Sequence, residues 1–291
     1  MIDYSQLLLL GAVAGFTIFL GLPLATLQNV SSRKKGFLNA IAIGILVFLI
    51  IDVFGHAWDT TGTMAASAFA GNAPVAGAVS ELIALFGGLA LGLLGLVFYE
   101  SRYMARRSEL ETQQPQAMRV VSSGSVKSSL ANEMVEQQVD AYKLSMMIAI
   151  GIGAHNFSEG LAIGQSYVSG AIGLALILII GFGCHNATEG FGIAGPLTGL
   201  VKRPSARFLA TVGLIGGLPT FIGTLTGSLI GVSDFAYVFF LSIAGGALVY
   251  VSMLMYSTGR RQTTNRILMI GIFVGLCAGF ITDLIVTLGG A

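Results

Sequence analysis

Apolar residues along this chain neither alternate with polar ones nor recur as a narrow stripe. They run on in long blocks separated by short polar breaks. Eight blocks stand out, at about 6–28, 37–56, 78–100, 143–166, 170–195, 207–231, 235–257 and 266–288. A helix needs about 20 apolar residues to cross about 30 Å of hydrocarbon, whereas a barrel strand needs about 10 of alternating character. The pattern therefore predicts an all-α integral membrane protein with eight transmembrane helices, built as a single transmembrane domain over residues 1–291. The one sizeable polar connection, about 101–142, holds Gln113-Gln114-Pro115-Gln116 and Ser122-Ser123-Gly124-Ser125 and reads as a flexible cytoplasmic loop. The leading residues Met1 to Gln6 carry no basic side chain, so a retained first helix is expected rather than a cleaved signal.

Composition excludes the other classes. Of 291 residues 54% are hydrophobic and 10% charged, whereas soluble domains carry about 25% charged residues. That is too little charge for a water-exposed surface and too much apolar surface for a disordered chain. Glycine is frequent, at 40 residues, without the every-third-residue repeat of collagen. Cys184 and Cys277 lie within apolar blocks and indicate no disulfide framework. The net charge of +1 says little about partners, but the placement of the charges says more. All 15 lysines and arginines fall in alternate connections or at their edges. They are Arg33, Lys34 and Lys35, then Arg102, Arg106, Arg107, Arg119, Lys127 and Lys143. Lys202, Arg203 and Arg207 follow, then Arg260, Arg261 and Arg266. The positive-inside rule puts those connections in the cytoplasm and both termini outside. The expected setting is the cell membrane, plasma or bacterial inner, with the lipid bilayer and not nucleic acid as partner.

Glycines recur at four-residue spacing in Gly11 and Gly15, Gly88 and Gly92, Gly223, Gly227 and Gly231, and Gly271, Gly275 and Gly279. Small residues at this spacing let helix backbones approach in a bilayer, where apolar burial does not by itself drive association. They predict a tight bundle without specifying its function.

Ionisable residues within a membrane cost a few kcal/mol each, which makes each a functional candidate. Two of the three histidines belong to a repeat: His155-Asn156-Phe157-Ser158-Glu159-Gly160 in the fourth block and His185-Asn186-Ala187-Thr188-Glu189-Gly190 in the fifth. Histidine and glutamate at i and i+4 share one helix face, and the asparagine is rotated from the histidine by about 100°. A hairpin folded near Tyr167–Gly173 sets His155 level with Glu189 and Glu159 level with His185. His155, Asn156, Glu159, His185, Asn186 and Glu189 then converge deep in the bilayer. Imidazole with carboxylate oxygen suits zinc, iron(II), manganese or a related transition cation, not magnesium or calcium. A purely structural polar network does not call for two facing carboxylates, since buried like charges repel unless a cation or proton lies between them.

Asp52 and His56, also at i and i+4, lie near the outer end of the second block, Glu81 opens the third from outside, and Asp283 lies near the outer end of the eighth. With Asp59 and Asp234 they suggest an anionic outer vestibule that concentrates cations. The alternative for His56, with Trp58, is an interfacial anchor. Cys184, Met146, Met147, Met253 and Met255 are expected to serve packing.

On the duplicated H-N-x-x-E-G motif and the eight-block topology, the chain resembles the ZIP (Zrt/Irt-like) family of divalent metal transporters. The resemblance implies passage of zinc, iron(II), manganese, cadmium or similar ions toward the cytoplasm, carried as substrate with no prosthetic group. It also implies a homodimer and an inverted 3+2+3 repeat relating helices one to three to helices six to eight. Two departures stand out. Where many members carry a Glu-Pro pair in helix six this chain has Leu218-Pro219, which argues against a second bound metal. The long connection also lacks a histidine-rich stretch. Two competing readings are an intramembrane zinc-dependent hydrolase, which needs one asymmetric site with an open coordination position, and a proton-coupled carrier of an organic solute.

Overall fold

A computed structural model of the chain describes residues 3–28, 30–112, 126–168, 170–230 and 233–288, and within them the structure is helical. The α-helices are α1 (Tyr4–Phe16), α2 (Ser32–Phe69), α3 (Val75–Thr112), α4 (Val126–Val168), α5 (Ile172–Ala194), α6 (Ala206–Leu229), α7 (Asp234–Gln262) and α8 (Asn265–Leu288). Their starts are fixed by side chains that satisfy the free N–H groups of the first turn. Asp3 and Gln6 form a reciprocal capping box on α1, while Ser31, Ser205 and Ser233 cap α2, α6 and α7. Among the described residues, seven helical stretches are long and apolar enough to cross a membrane. The remaining helix, α5, has 23 residues, a length of about 34 Å.

Helices outrun the apolar blocks. The stretch expected as a loop over 101–142 is helical as far as Thr112 and again from Val126, and the Gln113–Gln116 and Ser122–Ser125 runs lie outside the described residues. The reason is local. Residues 101–112 are dominated by good helix formers, and a helix that leaves hydrocarbon keeps its internal hydrogen bonds in water. The first block departs in the other direction. α1 stops at Phe16, and the chain continues as two 3₁₀ turns, Thr17–Leu20 and Leu22–Thr26, on either side of Gly21. Pro23 supplies no backbone donor, and Gly21 lies directly on the backbone of α5 at Gly190 and Phe191.

Packing sorts the helices into two layers. α1, α4, α5 and α6 contact one another, and α2, α3, α7 and α8 form the second set. Within each layer, backbones touch through glycines. Gly15 meets Gly217, Gly160 meets Gly223, Gly190 meets Gly21, Gly44 meets Gly275 and Gly92 meets Gly246, each leaving no room for a Cβ. Of the spaced glycines, Gly15, Gly88, Gly92, Gly223, Gly227, Gly271 and Gly275 meet backbone atoms, Gly11 and Gly279 meet the side chains of Thr224 and Phe48, and Gly231 lies outside the described residues. Between layers the glycines face side chains rather than backbone. A Cβ on Gly151 would stand 3.5 Å from the side chains of Ala247 and Leu248, and one on Gly192 would stand 3.7 Å from Leu46.

Outward-facing positions correct two sequence expectations. Met147 and Met255 are core residues, but Met253 is 67% exposed and Cys184 is also exposed. Both were expected to pack inside. Hydrocarbon accepts such side chains as readily as a protein core does, so hydropathy carries no sign of which way they face.

Candidate metal site

α4 and α5 form an antiparallel hairpin closed by Gly170, whose φ of 81° is one that L side chains rarely adopt. The N–H of Gly170 bonds Tyr167 O at 3.0 Å and that of Ala171 bonds Ser166 O at 2.9 Å, so the last turn of α4 is satisfied as the chain reverses. This tight reversal sets the register of the two motifs. His155 Nε2 lies 3.3 Å from Glu159 Oε1 and 3.9 Å from Glu189 Oε1, and His185 Nε2 lies 3.7 Å from Glu189 Oε1. Ligand atoms of His155, Glu159 and His185 all fall within 4.8 Å of one another. The two imidazole centroids are 5.9 Å apart.

All six motif side chains are buried, none more than 6% exposed. Buried polar atoms are normally paired, and each exception calls for a reason. Among the described residues, 11 buried side-chain nitrogens and oxygens have no hydrogen-bond partner. Seven of them belong to this cluster: both ring nitrogens of His155, Nε2 of His185, Oε2 of Glu159, Oε1 of Glu189, and the Oδ1 atoms of Asn156 and Asn186. A cation bound among them would satisfy acceptors that protein groups leave open.

The asparagines have a second task that their position beside histidine did not reveal. Asn156 Nδ2 donates to Glu189 Oε2 at 3.0 Å and to Gly216 O of α6 at 2.9 Å. Asn186 Nδ2 donates to Ala14 O of α1 at 3.1 Å. Their partners are acceptors only, which fixes the amide orientation and leaves the oxygens as the free atoms. Each asparagine thus ties its helix to a neighbour in the same layer. On the other side, the ring of Phe48, itself buried and edge-on to Phe280, stands 5.6 Å from that of His185.

The acidic residues outside the hairpin separate into two groups. The charge of Asp52 reaches His155, Glu159 and Glu189, and Asp52 with His56 acts on Asp283. His56 Nδ1 lies 3.5 Å from Asp52 Oδ1, with side-chain exposures of 60% and 16%. α2 continues past these two residues to Phe69. Glu81, 3% exposed with Oε2 unpartnered, instead interacts with the exposed Asp234. Asp59 is exposed, and Trp58 is 61% exposed. Sequence reasoning missed Tyr237. It lines a cavity of about 690 Å³ with Thr60, Ser166 and Asp234, and both Asp52 and Glu159 act on it electrostatically. Nothing in the sequence singled it out, since its block also holds Ser242, Tyr250, Ser252 and Tyr256.

No curated protein matches the chain at a significant level. A family profile described as ZIP Zinc transporter matches residues 36–286, a segment that begins in α2, ends in α8 and holds both copies of the motif. The members of that family are transporters, which sets the intramembrane hydrolase aside. A match over this much of the chain makes it a member of the ZIP zinc transporter family, a multi-pass carrier of divalent metal ions.

Proposed function

We propose that the cation in transit is held by His155, Glu159, His185 and Glu189, with the Oδ1 atoms of Asn156 and Asn186 as secondary ligands. The carrying observation is the concentration of unpaired buried acceptors in this one hairpin. Two imidazoles and two carboxylates suit zinc first, and iron(II), manganese or cadmium next. Among the described residues the donors cluster in a single group, and Leu218 adds none from α6, so the reading is one cation at a time. Asp52, His56, Glu81 and Asp283 serve as the outer vestibule. The distribution of lysine and arginine supports termini outside and flow toward the cytoplasm, across a plasma or bacterial inner membrane. The family resemblance extends the reading to a homodimer.

The two layers suggest how the site changes its exposure. Gly-mediated backbone contact and the two asparagine clamps bind α4 and α5 to α1 and α6, so these four helices move as one body against α2, α3, α7 and α8. An inverted repeat supports the same division. One constant shift in numbering carries Ala14, Gly15, Ile18 and Gly21, which face α5 or α6, onto Gly216, Gly217, Thr220 and Gly223, which face α4 or α1. The same shift carries Gly44 of α2 onto Gly246 of α7.

Zinc titration of the purified protein, followed by calorimetry and X-ray absorption, tests the ligand assignment. One zinc with only nitrogen and oxygen neighbours, lost in His155→Ala/His185→Ala, is expected. Undiminished binding in that variant would remove these residues from the site.

A further inference from the structure

A second cavity, of about 970 Å³, lies away from the metal site between α3 and α4. Its size is at the upper end of the roughly 300–1,000 Å³ typical of sites that enclose a small organic molecule. Where α8 packs against α5, the corresponding pair α3 and α4 makes no comparable contact among the described residues. A charged bridge spans the gap, Lys143 Nζ to Glu100 Oε1 at 2.6 Å. The walls divide by chemistry. Leu96 of α3 and Met146 and Ile150 of α4 supply apolar surface, while Lys143, Lys202 and Arg203 supply cations at one end. Ile150 is 45% exposed and marks the side open to hydrocarbon. Lys202 and Arg203 are exposed on the α5–α6 connection, one of the connections where every lysine and arginine gathers.

Each known feature restricts the occupant. A transition cation is repelled by Lys202 and Arg203, and the carboxylate of Glu100 is already engaged by Lys143, so this is no second metal site. A free anion would satisfy the cations and leave the apolar wall unused. A polypeptide segment would have to bring backbone polar groups to a face that opens on lipid. An anionic phospholipid satisfies both halves, with phosphate on the cations and a chain along the wall. Basic pockets between transmembrane helices on the cytoplasmic side have this chemistry.

We propose that the α3–α4 cleft binds one anionic phospholipid, its headgroup held by Lys202 and Arg203 beside the Lys143–Glu100 bridge and an acyl chain lying against Leu96, Met146 and Ile150. α3 and α4 belong to different layers, so a lipid wedged between them biases the layers' relative position. That consequence, unlike the binding itself, rests on the transport reading above.

The test is native mass spectrometry of the full chain in detergent, titrated with phosphatidylglycerol and, separately, with phosphatidylcholine of the same acyl chains. Retention of one phosphatidylglycerol, at least fivefold favoured over phosphatidylcholine, is expected. Lys202→Ala/Arg203→Ala should abolish the preference, and Ile150→Trp should expel the lipid with the charge unchanged. Both substitutions are at exposed positions, and a thermal melt within a few degrees of wild type verifies folding. Equal retention of the two lipids, or a preference that survives the double substitution, overturns the proposal. Displacement by glycerol phosphate at lipid-like concentration also overturns it, because the apolar wall would then play no part. Metal uptake is not read here, so a failure of the transport reading leaves this result intact.

Discussion

Asn156 reaches across the α4–α5 hairpin and donates through Nδ2 to Glu189 Oε2 at 3.0 Å, while the same amide holds Gly216 O at 2.9 Å. One side chain therefore orients a candidate ligand and fastens the hairpin to α6. Asn156→Ala would leave a buried carboxylate oxygen unpaired, at a cost of about 1–3 kcal/mol. We expect a lower melting temperature without metal and weaker zinc binding together. A melt and a zinc affinity both equal to wild type would show that the clamp is dispensable.

Gly190 rests on Ile18 O and Gly21, and a Cβ there must push α5 away from the 3₁₀ segment that follows α1. Gly87 faces open space. Gly190→Ala should destabilise by about 1–3 kcal/mol, the usual cost of overpacking, and should cut uptake at least tenfold. Gly87→Ala should behave as wild type. Equal behaviour of the two variants in a side-by-side melt and uptake assay would count against backbone contact as the basis of the layer.

Protons compete with metal for imidazole and carboxylate ligands, and a protonated imidazole cannot coordinate. Free imidazole titrates near about 6.5. The half-saturating metal concentration should therefore rise as pH falls from 8 to 5.5, by up to about tenfold per unit for each proton displaced. A flat profile over that range in a radiotracer assay would exclude proton competition at the site.

Asp52 and Asp283 interact with each other and with the motif residues or His56, whereas Glu81 interacts with Asp234. Asp52→Asn/Asp283→Asn should raise the half-saturating concentration several-fold at low ionic strength, with a smaller effect at high salt. Glu81→Gln should have the lesser effect. The reverse order would place the approach to the site beside Asp234.

Much of this arrangement is legible from residue pattern, and the failures have physical causes. Spacing between the two motifs already sets His155 level with Glu189, because a hairpin of two straight helices has only one register once its turn is located. Glycine spacing likewise marks where helices approach closely. The length of α2 and α3 is hidden, since apolar blocks report the thickness of hydrocarbon and not the end of a helix. The outward orientation of Met253 and Cys184 is hidden because lipid and core are equally apolar. The clamping role of Asn156 depends on a carbonyl in α6, sixty residues away, and no local pattern encodes it.

The central claim is that the paired motifs carry the cation across the bilayer. Its most direct measurement is metal uptake into proteoliposomes, with zinc, iron(II), manganese, cadmium and magnesium compared for wild type and Glu159→Ala/Glu189→Ala. Saturable uptake of a transition metal by wild type, excluding magnesium and lost in the double variant, is the predicted result. Uptake retained by the double variant would contradict the account.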